Sequence, residues 1–465
     1  MKKNFFRLVL LFMFALPATA GAQIGINPDN SPPDPSAILD IKSFTKGFLT
    51  PRMTQAERDG IADPATSLLI YQTDNTPGYY YNQGIPTVPD WTRVGNPQEV
   101  ICDSRIPIDS VARFGSFSGR NTAYGIDEPG SYYLTSNIVV PQNNRIGVYI
   151  DSDNVTLDLN GYSVIGTQAN DGSGTDGIRI QGGRNNVTIK NGMVTGWGEA
   201  GIRGFATENC LIQDIVSSSN GSRGFDMGEN SVLIECSAFG NGGNGFEGQN
   251  GCNFIRCTAG GNTFDGFASR NGSQFVNCNA YSNGVAGIDA NSDITVLGCV
   301  ASNNGDNGID VIGNGLVQNC VAYDNSGDGI NVSFSSRVAF CMAANNSEDG
   351  IQLRSGGAVV YGCVAHNNDE AGINASSGGG SRTLIENNGV TDNDSDGIRV
   401  EGTNALVISN RASGNTKLDD EDFFPVPSNY DLSSGTNFGP ILQVENGGDL
   451  STVTNGNHPY ANFEY

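Results

Sequence analysis

The chain is poor in most of what metal, redox and nucleic-acid chemistry draws on. Its 465 residues include only 2 His, 2 Trp and 6 Met, and 25 Lys and Arg stand against 49 Asp and Glu, a formal net charge of −24. So few basic residues disfavour nucleic-acid binding, which rests on phosphate neutralisation. Scarce His and Met disfavour delivery of copper or other metals. The ten cysteines form no CxxC-like pair and have no His beside them, so they do not read as a metal site. Beyond residue 22 no run is long and apolar enough to span a membrane.

Residues 1–22 read as a secretory signal: Lys2, Lys3 and Arg7 precede the apolar run Leu8 to Leu16, and Ala20-Gly21-Ala22 offers a small-residue cleavage site. No cysteine follows directly, which disfavours a lipoprotein. The expected location is therefore secreted or at the cell surface. Removing the leader deletes three positive charges and no negative ones, leaving a net charge of −27. A polyanionic glycan would then need bound cations or a local basic patch. Such acidity suits a soluble extracellular protein and leaves room for Ca²⁺ on surface Asp residues. Asp419, Asp420, Glu421 and Asp422 are the candidate run, with an acidic loop as its plainer reading; no other cofactor is implied.

What the chain has in abundance is repetition. A glycine followed by Ile or Phe falls at Gly224, Gly245, Gly266, Gly287, Gly308, Gly329 and Gly350, each step 21 residues. Looser copies extend to Gly372 and Gly397, and back through Gly201 and Gly177 to Gly147. Cysteine recurs on the same period from Cys236 to Cys341 and again at Cys363; asparagine recurs from Asn220 to Asn393, four residues before each glycine. Helical repeats need about 33 residues or more, and glycine inside a helix costs roughly 1 kcal/mol. Three short strands and three turns fit instead, which makes each period one coil of a parallel β-helix. Equivalent residues then stack about 4.8 Å apart, so every sequence column becomes a ladder.

An alanine two residues after each cysteine (Ala238 to Ala365) shares its strand face, and both point into the lumen. The apolar row three residues before the cysteine, Leu233 to Val360, has an odd offset and requires a bend in between. The Ile or Phe after each glycine adds a further inner row. The asparagine row reads as turn architecture, each amide bonding the backbone and its neighbours. The glycine row reads as a turn of unusual φ/ψ. The cysteines read as stacked buried thiols, since in-register side chains run parallel rather than facing each other. Cys210 and Cys252 share another column two coils apart, too far to bridge.

Residues 23–100 have another texture, with no 21-residue period and with Pro86, Pro89 and Pro97 marking a linker. The stretch from Ala37-Ile38-Leu39-Asp40-Ile41 through Thr45-Lys46-Gly47-Phe48-Leu49-Thr50-Pro51 to Ser67-Leu68-Leu69-Ile70-Tyr71 resembles a module at the start of bacterial surface proteins and fibre-like adhesins. That resemblance implies a stalk, trimerisation or attachment segment, and with it self-association through this module, rather than chemistry. The text Pro129-Gly130-Ser131-Tyr132-Tyr133-Leu134-Thr135, Asn154-Val155-Thr156-Leu157-Asp158-Leu159-Asn160-Gly161 and Asn186-Val187-Thr188-Ile189 resembles the first coils of secreted right-handed parallel β-helix (pectate-lyase-like) proteins. With the repeats, this likeness covers about residues 101–415, and residues 416–465 read as a C-terminal cap. The fold class expected is all-β, a right-handed parallel β-helix solenoid of roughly twelve ~21-residue coils behind a small N-terminal module. The superfamily holds polysaccharide lyases, hydrolases, epimerases, tailspikes and binding proteins, so it implies the fold more than an activity.

Two outward columns are candidates for chemistry. The column two residues after each glycine contains Arg179, Arg203, Asp226, Glu247, Asp289 and Asp310. Asp226 and Glu247 on adjacent coils, about 5 Å apart, have the spacing of retaining glycosidases, and crowding should raise one pKa. Arg203 and Arg223 flank them, whereas Asp289 and Asp310 pair equally well but lack arginines. The plainer reading is a solvated strand face with its charges compensated. The resemblance weakens a catalytic one: alginate epimerases carry a Gly-Phe-Asp-Pro-His-Asp-like motif where this chain has Gly224-Phe225-Asp226-Met227-Gly228-Glu229, without the His. The second column places Phe239, Tyr281 and Tyr323 on alternate coils, about 9.6 Å apart, which suits stacking on an extended glycan; aromatics that merely cover a turn are the alternative. The function expected is binding or processing of an extracellular polysaccharide, with a non-enzymatic adhesin or fibre component as the alternative.

Overall fold

The structure is a computed structural model that describes residues 23–94, 105–108, 115–117, 119–141, 145–167, 175–375, 382–401, 404–417, 426–427, 429–433, 436–443 and 458–464. The expected leader, Pro97, Cys102 and the acidic run 419–422 lie outside the described residues. The chain divides into two compact units, Met1–Asp103 and Ser104–Tyr465.

In the first unit, Ile24–Ile26 pairs in parallel with Leu39–Ile41, and four strands from Arg52–Met53 to Trp91–Arg93 form a sheet. Thr54 caps the single helical turn Gln55–Asp59. Its hydroxyl accepts the Glu57 N–H while Glu57 accepts the Thr54 N–H, a capping box that satisfies two otherwise orphaned donors. Several large apolar side chains stay in solvent, among them Phe44 (94% exposed), Ile38 (79%) and Leu49 (70%).

The second unit is a solenoid of parallel strands. A typical coil contributes Val232–Ile234, Ser237–Phe239 and Phe246–Gly248. Each pairs with the strand 21 residues on: Val232 with Asn253, Ser237 with Thr258, Phe246 with Phe267. The lumen is filled by stacked rows. Phe225, Phe246 and Phe267 lie face to face at 4.7 Å, the spacing of the coils themselves. The bend required between Leu233 and Cys236 is there: Glu235 takes φ 55°, and Arg256, Asn277, Asn319 and Phe340 take the same left-handed conformation in their coils.

The asparagine row is a continuous buried ladder. From Asn220 to Asn429, each Nδ2 donates to the Oδ1 of the next asparagine at 2.7–3.0 Å. Each Oδ1 from Asn241 to Asn415 also accepts the backbone N–H of the preceding ladder residue, for example Asn283 N to Asn304 Oδ1 at 3.1 Å. The nine described cysteines are free and buried.

Two expectations need correction. The glycine row is not a turn of unusual φ; none of Gly224 to Gly350 in that column has positive φ. Its cause is close approach: a Cβ on Gly287 would lie 2.5 Å from the Gly308 carbonyl oxygen and 2.8 Å from Asn304 Nδ2. The stack is also longer than twelve coils. The sheet that carries the glycine row has 15 strands: Arg120–Ile126 and Tyr430–Leu432 add parallel rungs before and after the twelve glycine-row strands, and Gly115–Phe117 pairs antiparallel with Arg120–Ile126 at its edge. The strand Tyr430–Leu432 sits out of period, which is why the repeat pattern does not announce it.

Candidate functional site

The strand register brings the predicted charged residues into one column. Arg179 pairs with Arg203, Arg203 with Asp226, and Asp226 with Glu247, one coil per step. Phe225 and Met227 point inward and are fully buried, so Asp226 between them points out of the lumen. Arg223 stands at the corner just before Gly224 and reaches the same place.

Asp226 is nevertheless not the exposed strand position that alternation suggests. It is 1% exposed, because the two arginines lie over it. Its Oδ2 is 3.7 Å from Arg203 Nε and 3.8 Å from Arg223 Nη1, and its Oδ1 has no hydrogen-bond partner. Glu247 is more accessible; its Oε2 accepts from Arg223 Nε and, at 3.3 Å, from Asn244 Nδ2. Burial pushes the Asp226 carboxyl up to about 6; Arg223 and Arg203 oppose that shift, and Glu247 and Asp176 add to it. Arg223 thus bridges Glu247 and Asp226, while Arg203 reaches Asp226 alone. A group poised near 6 can hold or release a proton near neutrality, the requirement for general acid–base work.

The other acid pair also departs from expectation. Asp289 and Asp310 do stack on adjacent coils, but Arg354 reaches back to Asp310, with Nη2 3.6 Å from Oδ2. Burial together with Asp265 and Asp310 raises the Asp289 carboxyl to about 6. The arginine escaped the column reading because it follows the strand Ile351–Leu353 and bridges two coils.

The aromatic column lies on a different sheet, across the asparagine turn. Phe239, Gly260, Tyr281, Ser302 and Tyr323 follow one another in register, so the rings recur on alternate coils. Tyr281 is 37% exposed, and its ring lies over Gly260, where a Cβ would come within 2.6 Å of Cζ. Between Tyr281 and Tyr323 runs an open groove of about 520 Å³, floored by Asn279, Val300 and Ser302. Phe239, half-buried, lies two coils away from Tyr281 and outside that groove. Among the described residues, no three His, Cys, Asp or Glu side chains cluster so as to hold a metal ion.

Residues 317–419 match a family model described as a right handed beta helix region, and residues 25–106 one described as a phage tail like trimerisation region. No curated protein matches the sequence significantly. Among solved structures, the chain is similar to the AlgE4 A-module of Azotobacter vinelandii mannuronan C-5 epimerase, at 16% identity over 67% of this chain and 91% of that one, TM-score 0.42. The AlgE6 A-module of the same organism is 19% identical over 69% and 91%, TM-score 0.38. Dettilon tailspike protein is 13% identical over 77% and 68%, TM-score 0.31. Likeness at this level leaves the activity to be argued from the residues. The stacked coils and the family match together make the chain a right-handed parallel β-helix protein.

Proposed function

We propose that the protein is exported and engages an extracellular polysaccharide with the outward side chains of its β-helix. The groove between Tyr281 and Tyr323 carries this reading. Its two rings stand two coils apart, about 9.6 Å, in an open groove that Asn279 and Ser302 also line. An extended glycan presents sugar faces and hydroxyls at comparable intervals. Processing at Asp226 and Glu247 is the second reading, favoured by the buried carboxyl poised near 6. The exposed Ile38, Phe44 and Leu49 favour self-association through the N-terminal unit, consistent with the trimerisation match and with an adhesin or fibre role.

The test is a glycan panel on the full chain, scored for retention and for new reducing or unsaturated ends. Retention that Tyr281→Ala with Tyr323→Ala abolishes supports binding at the groove. New ends that disappear in Asp226→Asn support processing. Neither retention nor product overturns the polysaccharide reading in favour of the adhesin or fibre.

A further inference from the structure

One outward face of the solenoid has neither the charged column nor the aromatic groove. Nine strands from Val232–Ile234 to Leu406–Ile408 stack in parallel register ahead of the cysteine turn, a run of about 38 Å at about 4.8 Å per rung. Their central residues, Leu233 to Val407, fill the lumen, so the first and third residues of each strand point out. Two outward residues on each of nine strands make eighteen; ten of these are Val, Leu or Ile, none of the ten is buried, and only Arg337 and Glu386 carry charge. Ile234, Ile255, Val276 and Leu297 form an unbroken aliphatic stack on successive rungs. Single exposed aliphatics are ordinary, but a contiguous strip of this length marks a contact surface. Its edges are polar: Arg256 pairs with Glu235 at 2.8 Å along one, and Asn314 Nδ2 donates to Asp293 at 3.2 Å along the other. An apolar centre inside a polar rim is the build of a protein interface.

The occupant that fits is a second copy of this chain. With 25 basic against 49 acidic residues, copies repel one another. The glycine-row sheet is unsuited to bringing them together, because its outward column carries Asp226, Glu247, Asp289 and Asp310. The apolar strip sets no row of carboxylates against another. We propose that the solenoids of neighbouring copies pack against one another along the strip from Val232 to Ile408. This rests on the self-association read above for the N-terminal unit and adds a second, separate contact to it. Copies tethered through that unit meet at high effective concentration, so a strip only three residues wide suffices to hold them. Equal rungs then face each other around a shared symmetry axis. The Tyr281–Tyr323 groove and the Asp226 column lie on the other two sheets and stay open to a glycan.

The experiment places pyrene maleimide on Gln274→Cys in a full chain that also carries Cys102→Ser. Gln274 is exposed two residues from Val276 on the same face, and the nine described cysteines are buried from the reagent. Native mass spectrometry counts the copies. Excimer emission from Gln274→Cys, and none from Ala268→Cys on the glycine-row sheet, supports the strip. Adding Ile255→Asp and Leu297→Asp should then cut the excimer-to-monomer ratio at least ~tenfold at unchanged copy number, because the new carboxylates would be buried without partners. Circular dichroism certifies the fold. Where the Asp pair fails to fold, Ile255→Thr with Leu297→Thr takes its place, with a smaller drop in the same direction. An oligomer without excimer at Gln274→Cys, with equal excimer at both positions, or with an excimer that the substituted pair does not lower overturns the proposal while self-association stands. A monomer overturns both.

Discussion

Two turns of the same coil do the same work with different chemistry. At the asparagine turn and at the cysteine turn, the ladder residue follows a left-handed residue: Asn303 before Asn304, Gly298 before Cys299. Each then donates to a carbonyl 24 residues back, Asn304 Nδ2 to Ala280 O at 3.3 Å and Cys299 Sγ to Phe275 O at 3.5 Å. Each accepts a backbone N–H from the coil before, Asn283 N to Asn304 Oδ1 at 3.1 Å and Cys278 N to Cys299 Sγ at 3.4 Å. The amide has a donor left over, which it gives to the next amide at 2.9 Å. The thiol has nothing comparable to give. Past Cys363 the cysteine turn itself changes hands: Cys363 N donates to Asn388 Oδ1, and Asn388, Asn410 and Asn462 continue the row. The two turns are one structural device, built with strong or weak hydrogen bonds.

The largest effect should come from breaking the strong version. Asn304→Ala deletes the bonds to Asn325 and Ala280 and orphans the buried Asn283 N–H. At about 1–3 kcal/mol for each unsatisfied buried group, the loss should reach roughly 3 kcal/mol or more in denaturant unfolding. A shift below about 1 kcal/mol would show that the ladder is ornament to the backbone pairing.

A third corner sharpens the contrast by placing an ionisable group where an amide would serve. Asn307 Oδ1 accepts the Asp328 N–H at 2.8 Å, and Asp328 Oδ1 accepts the Asp349 N–H at 3.1 Å in the same way. Burial, with Asp349 and Glu348 beside it, pushes the Asp328 carboxyl up to about 7. The folded chain therefore keeps a proton that the unfolded chain releases near its model value of 3.8, and stability falls as pH rises through that window. Asp328→Asn keeps the acceptor, and a flip of Asn331, whose Oδ1 has no partner, satisfies the new amide. The variant should be more stable than the wild type at pH 8, on the order of 2 kcal/mol, with a flatter profile down to pH 5. Parallel melting curves for the two proteins across that range would contradict the argument.

How much of this was legible in the sequence follows from what periodicity can encode. Rows that repeat every 21 residues form ladders, and the odd offset between Leu233 and Cys236 marks the bend that Glu235 makes. Spacing alone could not separate a glycine chosen for φ from one chosen for close approach, as at Gly287. Nor could it foresee that Arg203 and Arg223 would cover Asp226, since alternation gives a side chain's direction and not what lies over it.

The smallest effect should come from the weak version of the turn. Cys299→Ala removes a fully buried thiol, its bond to Phe275 O or Leu297 O, and the acceptor for Cys278 N. Sulfur bonds of this length stabilise little, and alanine already fills the neighbouring inner row at Ala301 without strain. The small void and the orphaned N–H together should cost about 1 kcal/mol, well below the asparagine variant in the adjacent turn. The two variants sit five residues apart in one coil, so differences in coil position cannot account for a gap between them. Equal losses in urea unfolding would mean that the thiols bear as much of the turn as the amides do, and the distinction between the two turns would fall.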